Sequence, residues 1–198
     1  MDSNTKVDEQ LIYEGKWLHF KLLHFQVNGH QKVWEYVERP PGNRGGVDII
    51  PIIKYKDKPS QVIVIANFRP PIRKFCLEFP AGIVDPEGSI QENGLREIKE
   101  ETGYTAQIGQ YQYNGVRIRN DPWKSTEHGL CVIVDVDGDS EVNINPKQHL
   151  ESDENIIVYK VSMGKTMTDE ILQLAKEKNY EIAGLLWFFA LGQQFNNQ

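Results

Sequence analysis

The sequence holds two cysteines, Cys76 and Cys131. Both fall in apolar, strand-like runs and neither belongs to a metal-ligand pattern, so reduced core thiols are expected. Histidine is equally uninformative: His19, His24, His30, His128 and His149 show no metal spacing, and none is assigned to catalysis. No apolar run approaches the length of a membrane span, and the opening Met-Asp-Ser-Asn-Thr-Lys lacks a signal-peptide core. A basic excess is also missing. With 22 Lys and Arg against 28 Asp and Glu the net charge is −6, which argues against a nucleic-acid or membrane surface. Internal repeats, low-complexity tracts and domain linkers are absent too. The expectation is one soluble domain over 1–198, in the cytoplasm with the nucleus as a second location. Its 39% hydrophobic content is enough for a full core.

What is present centres on residues 80–104, a glycine-bounded loop followed by a short acidic helix. Ser89 and Glu92 form a capping box, the hydroxyl accepting from the N3 amide while Glu92 reaches back. Gly103 supplies the left-handed residue that ends a helix. Leu95, Ile98 and Thr102 recur at helical spacing and are expected to face a core, leaving Arg96, Glu97, Glu100 and Glu101 on the remaining surface. Glu97 is i, i+3 to Glu100 and i, i+4 to Glu101, so three carboxylates crowd one face. Like charges at that spacing destabilise an isolated helix. A divalent cation reverses the sign, and carboxylate oxygens are what a hard ion such as Mg²⁺ prefers. The plainer alternative is a solvated acidic face.

From Gln10 to Val27 aromatic and aliphatic residues dominate, then Asn28-Gly29 signals a two-residue hairpin and Lys32–Glu38 resumes as a strand. Residues 40–46 read as a loop. Strands are predicted at Val47–Tyr55, Gln61–Phe68, Gln110–Ile118, His128–Val136 and Asn155–Val161, with Arg69-Pro70-Pro71 breaking the second. Thr168–Lys178 has helical spacing, and Tyr180–Gly192, apolar almost all round, is expected to be a buried helix. Met163, Trp187 and Phe188 are expected in core or interface packing. The order of elements indicates an α+β protein with helices layered on a mixed sheet.

The stretch Gly82-x5-Gly88-x7-Arg96-Glu97-Ile98-x-Glu100-Glu101-x-Gly103-Tyr104 resembles the signature box of the Nudix hydrolases, which cleave a nucleoside diphosphate linked to another moiety. One position departs: the family's first glutamate belongs where Gly88 stands, while Glu87 comes one residue early. Glu78-Phe79-Pro80-Ala81-Gly82, Phe68-Arg69-Pro70-Pro71, Gly15-Lys16-Trp17 with Val33-Trp34-Glu35, and the two closing helices narrow the resemblance to the ADP-ribose (ADP-sugar) pyrophosphatase branch. It covers residues 10 to 192. It implies a Nudix-type α/β/α sandwich with a mixed sheet, a core over 47–192, and an N-terminal β-hairpin region over 10–46 that serves dimerisation. It further implies Mg²⁺ or Mn²⁺ as cofactor, hydrolysis of ADP-ribose to AMP and ribose 5-phosphate, and a homodimer with exchanged N-terminal regions.

The chemistry fits those residues. Metal held by Glu97, Glu100 and Glu101 neutralises the pyrophosphate and lowers the pKa of a bound water. The Ala81 carbonyl is a further oxygen ligand by resemblance. Arg96, i, i+4 from Glu100, is expected to fix the glutamate array, and Arg69 to fork onto phosphate oxygens. Arg39 matches a substrate-contacting arginine of relatives, with a plain surface arginine as the alternative. For the general base Glu154 aligns best in the acidic loop with Glu151 and Asp153, and Glu127 is the reserve. Trp123 is either a substrate-side residue or an exposed loop aromatic. Trp17 and Trp34 are expected to clamp the adenine from different subunits. A two-residue turn pairs Trp34 with Leu23, and Trp17 lies six residues further on, roughly 20 Å at ~3.3 Å per residue. Two other readings stay open: a module that binds ADP-ribose without turnover, and a hydrolase of another nucleoside diphosphate derivative.

Overall fold

Asn28 and Gly29 take positive φ, 51° and 80°, the combination a two-residue turn needs to match right-handed strand twist. They join β2 (His19–Val27) to β3 (His30–Glu38) in a register that sets Leu23 against Trp34, as the turn arithmetic requires. The computed structural model describes residues 7–42, 45–85, 87–110, 116–152 and 154–195. Two units emerge, Met1–Gly46 with Arg117–Leu130 and Val47–Val116 with Cys131–Gln198.

In the first unit β1 (Asp8–Glu14) joins β2 and β3 in an antiparallel sheet of order β1-β2-β3. Its register is pinned by charge. The Tyr36 hydroxyl donates to Glu9 at 2.8 Å, and Lys21 pairs with both Glu9 and Glu38. Within residues 117–128, the stretch 124–126 lies along β3: Val37 N–H donates to Lys124 O at 2.9 Å and Thr126 N–H to Val37 O at 3.1 Å. Within that segment the Asp121 carbonyl accepts from both Lys124 and Ser125, making a tight turn. Leu11, Ile12, Tyr13, Val33 and Trp34 remain exposed on this sheet.

The second unit holds an eight-stranded mixed sheet. Its path is β11 (Glu181–Ile182), β6 (Lys74–Glu78), β5 (Gln61–Arg69), β4 (Gly46–Lys54), β9 (Gly129–Asp137) and β8 (Ala106–Ile108). In addition β10 (Ile156–Ser162) pairs with β5, and β7 (Ala81–Ile83) with β4. The β6–β11 pair is parallel; β5 runs antiparallel to β6 and β10. Strand β5 reads Val-Ile-Val-Ile-Ala because it is covered on both faces. Val62, Val64 and Ala66 enter a core with Leu77, Met167 and Leu186, while the alternating Ile63 and Ile65 are buried on the other side. Helices α2 (Met167–Lys178) and α3 (Gly184–Phe195) supply the first of those layers. Helix α1 (Ile90–Thr102) packs against β7 and β8. This is the α+β architecture with a mixed sheet that the sequence indicates.

Two differences have physical causes. The closing helix starts at Gly184, because residues 181–182 are taken by β6 as a parallel strand and Ala183 N–H donates to Leu77 O at 2.9 Å. That helix is buried on one stripe only, at Leu186 and Ala190, and Phe188 is 72% exposed; apolar composition overstated its burial. The strand expected at Gln110–Ile118 falls largely on 111–115, outside the described residues, and Ile118 makes a bridge with Gly129. No described helix is long and apolar enough to cross a membrane.

Candidate active site

Helix α1 begins at the capping box: Glu92 N–H donates to Ser89 Oγ and Ser89 N–H to Glu92 Oε2. It ends at Gly103, with φ 77° and its N–H on Lys99 O. Its inward stripe takes in Ile98 and Thr102 as the spacing indicates, and is wider than expected. Asn93, Gly94, Glu97, Ile98, Glu101 and Thr102 are buried, whereas Leu95 is half-buried. Glu97 at 9% exposure and Glu101 at 3% thus lie on the packed side of the helix. Room for Glu97 comes from Gly82 on β7, where a Cβ would stand 2.0 Å from the Glu97 carboxyl carbon. Glu101 accepts the Ala81 N–H at 3.1 Å.

Arg96 ties the rest together. Its guanidinium donates to Glu100 at 2.7 Å, to Glu97 at 2.8 Å and to Asp85 at 3.0 Å. The preceding loop is held by Asn93, whose side chain accepts from Asp85 N–H at 3.0 Å and donates to Ser89 O at 2.9 Å. Asp85, Glu87, Gly88, Glu92, Asn93 and Arg96 line a cavity of about 520 Å³. Gly88 sits there with φ 86°, a left-handed conformation that glycine adopts freely and a glutamate does not.

The acidic loop is anchored to the same helix. Gln148 donates to Glu101 O at 2.7 Å and to Ile156 O at 3.1 Å, and His149 N–H donates to Glu100 O at 2.8 Å. These bonds satisfy carbonyls at the end of α1, and Glu154 Oε2 accepts the Glu151 N–H at 2.9 Å. Glu154 is near enough to push the carboxyls of Glu97 and Glu101 upward. Burial is the larger cause for both; Arg96 opposes the rise at Glu97, and the Ala81 amide opposes it at Glu101, whose pKa reaches about 8.

Arg69, at the end of β5, forks onto Glu78: Nε donates at 3.1 Å and one terminal nitrogen at 2.5 Å. Burial raises the Glu78 carboxyl, and Arg69 and Asn67 hold it down. The fork expected for phosphate is therefore half engaged by a carboxylate.

The second unit thus brings together two bonded groups, Arg96 with Glu97 and Glu100, and Ala81 with Glu101, with Glu154 and Arg69 within electrostatic reach of Glu101. Among the described residues no three acidic, histidine or cysteine side chains converge as a finished ion shell; Arg96 and the Ala81 amide hold the oxygens. The donor set nevertheless fits a hard divalent cation. Every donor is oxygen, and the carboxylates of Glu97, Glu100 and Glu101 outnumber the one guanidinium, Arg96, bonded among them.

The first unit holds the other candidates. Trp17, 60% exposed, follows β1, and Trp34 on β3 is 45% exposed. The Trp34 indole N–H donates to Trp123 O at 2.5 Å, and Arg39 Nε pairs with Glu127 at 2.5 Å. Sequence reasoning missed Asp85, Asn93, Glu78 and the Trp123 carbonyl as working groups. None of them lay on the apolar stripe that the helical spacing marks, so none carried a signal.

A glycine strand, an arginine clamp and a carboxylate helix on an α+β mixed sheet define a class of protein built to handle charge at one helix face. Residues 42–162 match the model of the NUDIX domain. The chain is 35% identical over 167 residues to an ADP-ribose pyrophosphatase of Saccharomyces cerevisiae, covering 82% of this chain and 71% of that protein. It is 34% identical over 143 residues to an ADP-sugar pyrophosphatase of Mus musculus, covering 70% and 64% respectively. A solved ADP compounds hydrolase shares the fold, with TM-score 0.60 at 21% identity, covering 85% of this chain and 83% of that one. The chain belongs to the Nudix hydrolase family.

Proposed function

We propose that this enzyme hydrolyses the pyrophosphate of ADP-ribose, or a related ADP-sugar, to AMP and a sugar phosphate, with Mg²⁺ or Mn²⁺ as cofactor. The observation that carries this reading is the pair of buried carboxylates, Glu97 and Glu101, which together with Glu100 outnumber the single guanidinium, Arg96, bonded among them. Relatives named for ADP-ribose and ADP-sugar pyrophosphatase activity support the substrate class.

Glu97, Glu100, Glu101 and the Ala81 carbonyl would hold divalent cations. When bound, such ions neutralise the pyrophosphate oxygens and acidify water. Arg96 keeps the carboxylates in register through its three bonds. Glu154 takes the proton as the water oxygen attacks phosphorus and the bridging P–O bond breaks. Arg69 spends Nε and one terminal N–H on Glu78, which leaves its other terminal N–H groups for phosphate oxygens.

Trp17, Trp34 and Arg39 are assigned to the nucleoside end. Residues 10–46 are taken as a dimerisation region and 47–192 as the catalytic core of a single Nudix domain spanning 1–198. A three-stranded sheet that leaves Leu11, Ile12, Tyr13 and Val33 exposed suits a surface covered by a second copy. The cytoplasm, with the nucleus second, is the proposed compartment. Incubation with a panel of nucleoside diphosphate derivatives and Mg²⁺, with products resolved by chromatography, tests the reading; turnover confined to substrates without ADP would end it.

A further inference from the structure

Residues 121–127 form a heavily bonded turn. Asp121 O caps the turn through Lys124 and Ser125 N–H groups at 3.1 and 3.0 Å, and Glu127 N–H donates to Ser125 Oγ at 2.9 Å. The Arg119 guanidinium donates to Thr126 O. Two backbone bonds, Val37 N–H to Lys124 O and Thr126 N–H to Val37 O, dock the turn on β3. Val37 stands between Trp34 and Arg39 in the chain. Both of those flanking side chains are also bonded to the turn: the Trp34 indole N–H to Trp123 O at 2.5 Å, and Arg39 Nε to Glu127 Oε1 at 2.5 Å.

We infer that this turn is a template that sets the orientation of the two substrate-binding side chains of the first unit, with Glu127 acting as a positioning residue through Arg39 and the Trp123 carbonyl acting through Trp34. The inference rests on the assignment of Trp34 and Arg39 to the nucleoside end. An indole free to turn about its two side-chain torsions loses freedom when a flat base stacks on it. One whose N–H is already fixed does not, and that difference appears as affinity. The same holds for Arg39. Glu127 takes its Nε and leaves the two terminal nitrogens to a ligand. Glu127 is thereby committed to an ion pair, which moves it from reserve general base to positioning residue. Trp123 enters through its backbone, so its ring is not what the template uses.

The test uses the full chain, ADP-ribose and Mg²⁺, with thermal unfolding recorded for each variant. Trp34→Ala and Arg39→Ala come first, and each is expected to raise KM by about tenfold or more with kcat little changed. Trp34→Phe deletes the N–H together with part of the stacking face, so a second variant with 3-benzothienylalanine at position 34, which keeps the fused rings and deletes only the N–H, is measured beside it. This second variant should raise KM about fivefold, the scale of one hydrogen bond, at unchanged kcat. Glu127→Gln should raise KM similarly in the wild type and have no effect on top of Arg39→Ala. Should Glu127→Gln fold poorly, the 3-benzothienylalanine variant decides alone, and ADP-ribose affinity measured calorimetrically under chelation repeats the comparison without turnover. If the alanine variants raise KM while the 3-benzothienylalanine variant and Glu127→Gln match wild type, the template is overturned and the assignment of Trp34 and Arg39 stands. Alanine variants with wild-type KM overturn both. Parallel falls in kcat and melting temperature, without a KM change, make the turn a structural brace and overturn the inference as well.

Discussion

A Cβ built on Gly82 would lie 2.0 Å from the carboxyl carbon of Glu97, so the glycine of β7 and the first glutamate of the α1 array occupy one space. Gly82→Ala must push that carboxylate out of its seat or move β7. The expected outcome is a loss of about 1–3 kcal/mol of stability from overpacking. A fall in kcat/KM of ~100-fold or more should accompany it, because the array loses its geometry. Urea unfolding and steady-state kinetics on the same preparation check both.

Glu100→Gln and Glu101→Gln keep shape and remove charge. Turnover is expected to fall by at least ~100-fold in each, since removal of a charged donor costs several kcal/mol of barrier reduction. Chelation of wild type should abolish activity, and Mg²⁺ should restore it. Wild-type turnover in both variants would remove the carboxylates from the mechanism.

The Glu101 carboxyl also predicts how stability depends on pH. Burial lifts its pKa from an ordinary 4.5 to about 8 in the folded chain. A raised acid binds more protons when folded than unfolded, so its contribution is complete below pH 4.5 and is lost as pH rises toward 8. In chelator, the melting temperature should therefore decline across that window. Glu101→Gln should flatten the decline, and Mg²⁺ should stabilise wild type more at pH 8 than at pH 5. Differential scanning fluorimetry reads all three, and a melting temperature rising over this interval contradicts the assignment.

Gly88 stands at φ 86°, so installing the family's glutamate there forces a left-handed side chain. Gly88→Glu is expected to cost about 1 kcal/mol or more and to leave turnover unimproved. Glu87, which lines the cavity with Arg96, is then the residue to read. Glu87→Gln should impair hydrolysis with folding intact if it fills the loop role, and a silent Glu87→Gln says that role is absent.

The proposed dimer has its own check. Trp17→Ala and Trp34→Ala should each raise KM far more than they lower kcat. Mixing the two inactive-binding variants should partly restore affinity, because one site of a heterodimer keeps both rings. A monomer in sedimentation with full affinity for ADP-ribose rules out the shared clamp.

Local rules made much of this fold legible. Ser89, Glu92 and Gly103 mark the ends of α1 by chemistry alone, and Asn28-Gly29 fixes the β2–β3 register through turn geometry. The carboxylates and Arg96 were readable as an array from helical spacing. Their burial was not, since Glu97 and Glu101 share a stripe with Ile98 only because Gly82 and the Ala81 amide make room from another strand. The Arg69–Glu78 fork was hidden for a similar reason. Glu78 pairs with Ile65, so Arg69 reaches back along β5 to find it. Residues 180–184 misled because apolar composition does not tell a strand beside β6 from the first turn of a helix.

The central claim is the hydrolysis of an ADP-linked pyrophosphate, and one measurement meets it directly. Purified protein is incubated with ADP-ribose and Mg²⁺, and products are separated and quantified against time. The account predicts AMP and ribose 5-phosphate in equal amounts, formed catalytically and stopped by chelator. ADP-ribose bound stoichiometrically yet recovered intact, under Mg²⁺ and Mn²⁺ alike, would contradict it.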